Sequence, residues 1–207
     1  MTEEQSAFKV MRSILFVPCT VQKFIDRAPT SKADVICLDL EDSVPPAEKS
    51  SARDRAKDAL DNMPRNGYDL IVRINALGTD LLEDDLIAVV KPGLDGISLP
   101  KADTPETVVR VDNYLTLLEK ERGLEIGSIK IIPFLETAQG VINAREICRS
   151  SDRLFAAAVG AEDFATDMKI PRRSDSREVS WPRAQVAIAC KAAEITPIDP
   201  TIEFKSK

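Results

Sequence analysis

The chain has 207 residues, 43% of them hydrophobic and 30% charged, which fits one soluble domain with a sizeable core and excludes a fibre, a disordered tail or a disulfide-stapled miniprotein. Twenty-eight Lys and Arg stand against 34 Asp and Glu, a formal charge of −6, so no basic footprint favours nucleic acid or an anionic membrane, and small molecules or protein subunits are the expected partners. Histidine is absent, which removes Ser-His-Asp hydrolysis, histidine general bases and imidazole metal ligands from the available chemistry.

Residues 1–9 lack the basic start and apolar stretch of a secretory signal, and no apolar run approaches membrane-spanning length. The four cysteines, Cys19, Cys37, Cys148 and Cys190, are scattered without a CxxC pair. Together these features predict reduced thiols and a cytoplasmic setting. Short β-branched runs then alternate with longer charged segments, the pattern of repeated βα units on a parallel sheet. The predicted strands are residues 13–17, 35–40, 70–74, 96–99, 130–134 and 155–160, with a seventh beginning around 196–198.

Helix signals fall between them. Residues 47–63 read as a solvated helix stopped by Pro64 and Gly67. Thr104-Pro105-Glu106 supplies a cap, a first-turn proline and an early acid ahead of Val108, Val109, Leu115 and Leu118, with Gly123 as the stop. Ser180 before Trp181-Pro182 marks another start. The first strand runs into Val17-Pro18-Cys19-Thr20, which has no glycine and cannot present a GxGxxG turn to a pyrophosphate. Even strand spacing without a switch point favours a TIM-type (β/α)8 barrel over an open dinucleotide-binding sheet, as a single domain over residues 1–207 that is incomplete at its C-terminal end.

Almost every predicted strand ends on charge. Asp39-Leu40-Glu41-Asp42, Arg73 with Asn75, Lys101, Glu136, and Glu162-Asp163 follow five of them, and in a parallel barrel all strand ends lie on one face. Converging carboxylates repel unless a cation or protons neutralise them. Glu136 and Asp163 are therefore expected to bind a hard divalent ion, Mg²⁺ above others, since it takes one or two carboxylates and completes its octahedron with water and substrate oxygens. Arg73 offers a planar fork to a substrate carboxylate, and Lys101 a diffuse positive charge.

The segments Arg12-Ser13-Ile14-Leu15-Phe16-Val17-Pro18, Leu38-Asp39-Leu40-Glu41-Asp42-Ser43-Val44, Val72-Arg73-Ile74-Asn75, Leu99-Pro100-Lys101, Leu135-Glu136-Thr137-Ala138 and Gly160-Ala161-Glu162-Asp163-Phe164, in this order, resemble the citrate lyase β-subunit-like family of the HpcH/HpaI aldolase superfamily. The resemblance implies a (β/α)8 barrel, assembled as a homo-oligomer of three or six chains. It implies a Mg²⁺-dependent enzyme that cleaves or forms a carbon–carbon bond in a 3-hydroxy-acyl thioester, such as citryl-, malyl- or citramalyl-coenzyme A or the carrier-protein equivalent. Glu136 and Asp163 match its metal ligands, Arg73 and Glu136 its substrate contacts, and Asp39, Glu41 and Asp42 an acidic motif near the site. Glu41 and Asp42 are alternative general bases, as is an acid from a neighbouring subunit. Cys19 and Lys169 stand where the family usually has glycine, and the chain stops at 203–207, ahead of the family's closing strand.

Blander roles stand beside these. Singly, Asp39 and Asp42 serve equally well as helix caps or ion-pair members. Cys19 suits a small filler better than a nucleophile, and Lys101 a structural partner better than a Schiff-base lysine. Trp181 suits outer-layer packing or a subunit contact, while Arg172, Arg173 and Arg177 suit either a solvated loop or a coenzyme A phosphate. The alternative for the whole chain is a non-catalytic or assembly-only barrel of the same family.

Overall fold

The structure, a computed structural model, describes residues 11–200; the start read at residues 1–9 and the end read at 203–207 lie outside the described residues. From the N-terminal side, β1 (Ile14–Pro18) leads into α1 (Gln22–Arg27), β2 (Val35–Asp39) into α2 (Lys49–Asn62), β3 (Asp69–Arg73) into α3 (Leu82–Val89), and β4 (Gly96–Leu99) into α4 (Pro105–Glu121). Next, β5 (Lys130–Leu135) is followed by α5 (Ala138–Ile142) and α6 (Ala144–Ile147), β6 (Ala156–Val159) by α7 (Ala161–Asp167) and α8 (Ser180–Ala192), and then comes β7 (Thr196–Ile198). The order is that of a TIM-type α/β fold, incomplete at seven parallel strands among the described residues where a closed barrel has eight. Each of the six strands expected from the apolar runs ends within one residue of its observed position.

The residues form two compact units, one built from residues up to Ser98 with Tyr114–Lys130, the other from Leu99–Asn113 with the residues from Ile131 on. In the first, β1, β2, β3 and β4 pair in parallel, with Pro18 opposite Asp39, Asp39 opposite Arg73, and Arg73 opposite Ser98. All of β2 is buried, as are Leu70, Ile71, Val72 and Ile97. Strands covered on both faces read as unbroken apolar runs, and each such side chain contributes about 1.5–3 kcal/mol by leaving water. Helix α2 turns Ala52, Ala56, Ala59 and Leu60 inward, an i, i+4, i+7, i+8 stripe that hides among its charges. It begins two residues later than expected because Pro46–Glu48 form a 3-10 turn ahead of it. Buried Glu119 shapes the approach to β5 by accepting the N–H groups of Gly127 and Ile129, both at 2.9 Å.

In the second unit β5, β6 and β7 pair in parallel, with Leu135 opposite Val159. Arg153, almost fully buried, is held by Asp112. The Thr104 cap expected ahead of α4 is present, its Oγ1 accepting the N–H of Thr107 at 3.4 Å. Ser180, expected to precede α8, is instead its first residue and gives no side-chain cap. None of the described helices is long and apolar enough to cross a membrane.

Three helices end in the same paired hydrogen bonds, the Schellman motif, which needs a left-handed residue just past the helix. At α4 that residue is Gly123, φ 67°, with Leu124 N–H donating to Glu119 O and Gly123 N–H to Lys120 O. At α7 it is Lys169, φ 56°, with Ile170 N–H donating to Ala165 O and Lys169 N–H to Thr166 O. Ile170 then packs on Val141, Ala161, Phe164 and Val179. At α8 it is Glu194, φ 60°. A side chain in this conformation costs about 1–2 kcal/mol, part of which glycine returns through its freer unfolded chain. Lys169→Gly and Glu194→Gly are each expected to raise the unfolding free energy by about 0.5–1 kcal/mol, read as a higher urea midpoint at unchanged slope.

Candidate active site

The register of the first unit dictates its polar site. Asp39 closes β2 and Arg73 closes β3 directly opposite, so both side chains leave the sheet on the same face. The pair is bidentate, Arg73 Nε to Asp39 Oδ1 at 2.7 Å and Nη2 to Oδ2 at 2.6 Å. Arg73 Nη1 lies 3.2 Å from Glu41 Oε2 and 3.5 Å from Asp42 Oδ2, and the guanidinium carbon sits 5.3 Å from the centre of the Phe16 ring. Burial disfavours the Arg73 cation, yet Asp39 and Glu41 more than offset it and raise its pKa. Burial likewise pushes the Asp39 carboxyl up, and the Arg73 hydrogen bonds, with help from Ser43 and the Glu41 backbone, outweigh it and hold Asp39 below the usual carboxylate range. Three acids expected near a substrate site, Asp39, Glu41 and Asp42, are thus brought together on Arg73. Asp39 and Glu41 are buried, while Asp42 is exposed.

Asp39 also organises the turn that follows it, accepting Glu41 N–H at 2.9 Å and Ser43 N–H at 3.3 Å. The turn's carbonyls are claimed by Lys49, the first residue of α2, whose Nζ donates to Leu40 O, Glu41 O and Asn75 Oδ1, each at 2.7 Å. Asn75 in turn donates to Leu40 O and to buried Asp85, which Arg53 clasps at 2.9 Å. The sequence reading passed over Lys49, Asp85 and Arg53. The one available signal was general: a turn leaving a buried strand has carbonyls that need donors.

The second unit holds the other expected residues. Glu136, directly after β5, is 2% exposed and its Oε1 accepts the backbone N–H of Lys101 at 2.8 Å. Lys101, the second residue beyond β4, achieves this with φ 49°, a strained conformation that turns its N–H toward the acid. Across from Glu136, a Cβ on Gly160 would come within 2.2 Å of Glu136 Oε2 and 2.6 Å of its Cβ. Gly160 therefore makes the space the carboxylate fills, a role invisible in the sequence. Asp163 lies half-buried in the first turn of α7, on the element that follows the neighbouring strand β6. Thr137 caps α5, its Oγ1 accepting Gly140 N–H at 3.0 Å.

Two carboxylates on adjacent βα connections suit a hard dication such as Mg²⁺, which uses one or two protein carboxylates. No group of three or more His, Cys, Asp or Glu able to hold a metal occurs among the described residues. Cys19 is fully buried, and burial, with Asp39 adding to it, pushes its thiol up to about 12, which leaves it protonated and unreactive at neutral pH. Trp181 is exposed. Arg172 is occupied by Glu162 and Glu178, and Arg173 and Arg177 both reach Asp175.

Residues 12–203 match the HpcH/HpaI aldolase/citrate lyase family model. The chain is similar to citrate lyase subunit beta of Leuconostoc mesenteroides subsp. cremoris, 38% identical over 191 residues that cover 92% of this chain and 63% of that protein. It therefore spans less than two thirds of that relative's length. A Mycobacterium tuberculosis structure, citrate lyase beta subunit complexed with oxaloacetate and magnesium, is 28% identical with a TM-score of 0.76, covering 95% of this chain and 81% of that one. Another from the same organism, protein CitE in complex with magnesium, acetoacetate and coenzyme A, is 29% identical with a TM-score of 0.73, covering 93% and 66%.

Two expectations follow from the geometry. Gly160→Ala should leave the fold intact by circular dichroism but displace the Glu136 carboxylate from the Lys101 N–H, read as a chemical-shift change of that amide. For Asp39, a lowered pKa means its stabilising contribution is complete above the unfolded value near 3.8 and is lost as pH falls below it. The urea midpoint of the wild type should therefore fall more steeply below about pH 4 than that of Asp39→Asn, which has no such proton to take up.

Proposed function

The chain belongs to the HpcH/HpaI aldolase/citrate lyase family, and we propose that it is a Mg²⁺-dependent lyase that cleaves or forms the carbon–carbon bond of a 3-hydroxy-acyl thioester. The acyl group is of the citryl, malyl or citramalyl kind, carried on coenzyme A or an acyl carrier protein. The observation that carries this proposal is the Glu136 carboxylate, buried, fixed by the Lys101 N–H and given room by Gly160.

In this proposal Glu136 and Asp163 hold the metal, which when bound supplies Lewis-acid polarisation of substrate oxygens and lowers the pKa of a hydroxyl. Arg73 binds the substrate carboxylate. Its Nε and Nη2 edge is committed to Asp39 and its Nη1 lies 3.2 Å from Glu41 Oε2, so a substrate carboxylate reaches Nη1 by displacing Glu41. The hydroxyl proton goes to an acid, either Glu41 or Asp42 or one from a neighbouring subunit. Loss of that proton expels a thioester enolate, whose charge must be stabilised by fixed donors.

The test is cleavage of citryl-, malyl- and citramalyl-coenzyme A by the purified protein with Mg²⁺, followed by thioester product. At least one is expected to be cleaved, and Glu136→Gln and Arg73→Ala to lower kcat/KM by about 100-fold or more. A folded protein that binds Mg²⁺ yet cleaves none of the three would overturn the proposal in favour of a binding or assembly role.

A further inference from the structure

The Lys49 ammonium has three N–H donors and all three are used, on Leu40 O, Glu41 O and Asn75 Oδ1 at 2.7 Å. Leu40 and Glu41 are the two residues between Asp39 and Asp42. From the Glu41 peptide the connection runs on, since Glu41 N–H donates to Asp39 Oδ1 at 2.9 Å and that same oxygen receives Arg73 Nε at 2.7 Å. The Glu41 side chain lies 3.2 Å from Arg73 Nη1. Moving the 40–41 backbone therefore moves both the acid that aims the guanidinium and the acid that faces its Nη1. A surface lysine would place its charge in water; partial burial here holds the ammonium below the usual lysine range against the pull of Glu41, Asp39, Asp85 and Asp42. Behind it the anchor is rigid: Asn75 is buried and bound to Asp85, and Asp85 to Arg53.

We propose that Lys49 is a positioning residue for the anion site at Arg73, fixing the Leu40–Glu41 backbone and, through Asp39, the direction in which Arg73 meets a ligand carboxylate. This rests on the assignment of Arg73 as the carboxylate-binding group. Lys49 makes no contact with substrate in this scheme. It acts on affinity for the carboxylate.

The experiment is calorimetric titration of the full chain with Mg²⁺ alone, and with oxaloacetate at saturating Mg²⁺, for the wild type, Lys49→Met, Lys49→Arg and Arg73→Ala. Lys49→Met is expected to weaken oxaloacetate by about tenfold and to bind Mg²⁺ as the wild type does, with Lys49→Arg in between, because its cation cannot aim three donors from one atom. A purely structural lysine would leave both affinities unchanged or lower both together, and either pattern overturns the proposal. Where Lys49→Met does not fold, Lys49→Arg decides alone: oxaloacetate affinity within about twofold of wild type, or Mg²⁺ affinity falling with it, overturns the proposal. Unchanged oxaloacetate affinity in Arg73→Ala would instead overturn the assignment of Arg73 itself, so the two failures are distinguishable.

Discussion

A guanidinium and a carboxylate taken out of water at the ends of two neighbouring strands set the terms for the rest of the first unit. Desolvating such a pair costs several kcal/mol per ion, and the attraction between them repays it only when every remaining donor and acceptor is satisfied. Asp39 meets that condition with four incoming hydrogen bonds, two from Arg73 and one each from the Glu41 and Ser43 backbones. The turn after β2 is thereby wound around the carboxylate, and its own carbonyls are handed to Lys49. One ion pair, placed by strand register, thus explains the course of the backbone from Asp39 to Val44, where the last N–H donates to Glu41 O.

The second unit holds its buried acid on a backbone donor. Glu136 has a backbone N–H from Lys101 and a cradle shaped by a missing Cβ at Gly160, where Asp39 has a bidentate cation. Two buried acids at strand ends are in this way held differently, one on a guanidinium and one on a backbone N–H.

The strands were legible because parallel strands buried on both faces leave unbroken apolar runs such as Val35-Ile36-Cys37-Leu38. Strand-end acids and Arg73 were legible for the same reason: a charge directly after such a run has few places to go. Short helices were less so. The five-residue α5 and four-residue α6 carry too little periodicity to register, and α7 hides its start within the motif that supplies Asp163. Lys49 and Gly160 were missed for a different reason. Their importance lies in what they touch across 8 to 26 residues of sequence separation in one case and in an absent atom in the other, and neither leaves a local pattern.

Lys169, Glu194 and Lys101 separate two kinds of left-handed backbone. At Lys169 and Glu194 the conformation closes a helix, a job glycine does at α4 with no steric penalty; these side chains pay with stability and receive only a helix end. At Lys101 no helix is being closed. Its N–H leaves the line of β4 and reaches Glu136, so the strain of about 1–2 kcal/mol is offset by a charge-assisted hydrogen bond to a buried acid. The same φ therefore means tolerated strain in two places and a built contact in the third. Because that contact comes from the backbone, the acid is oriented by a group that no side-chain substitution at Lys101 removes, save proline.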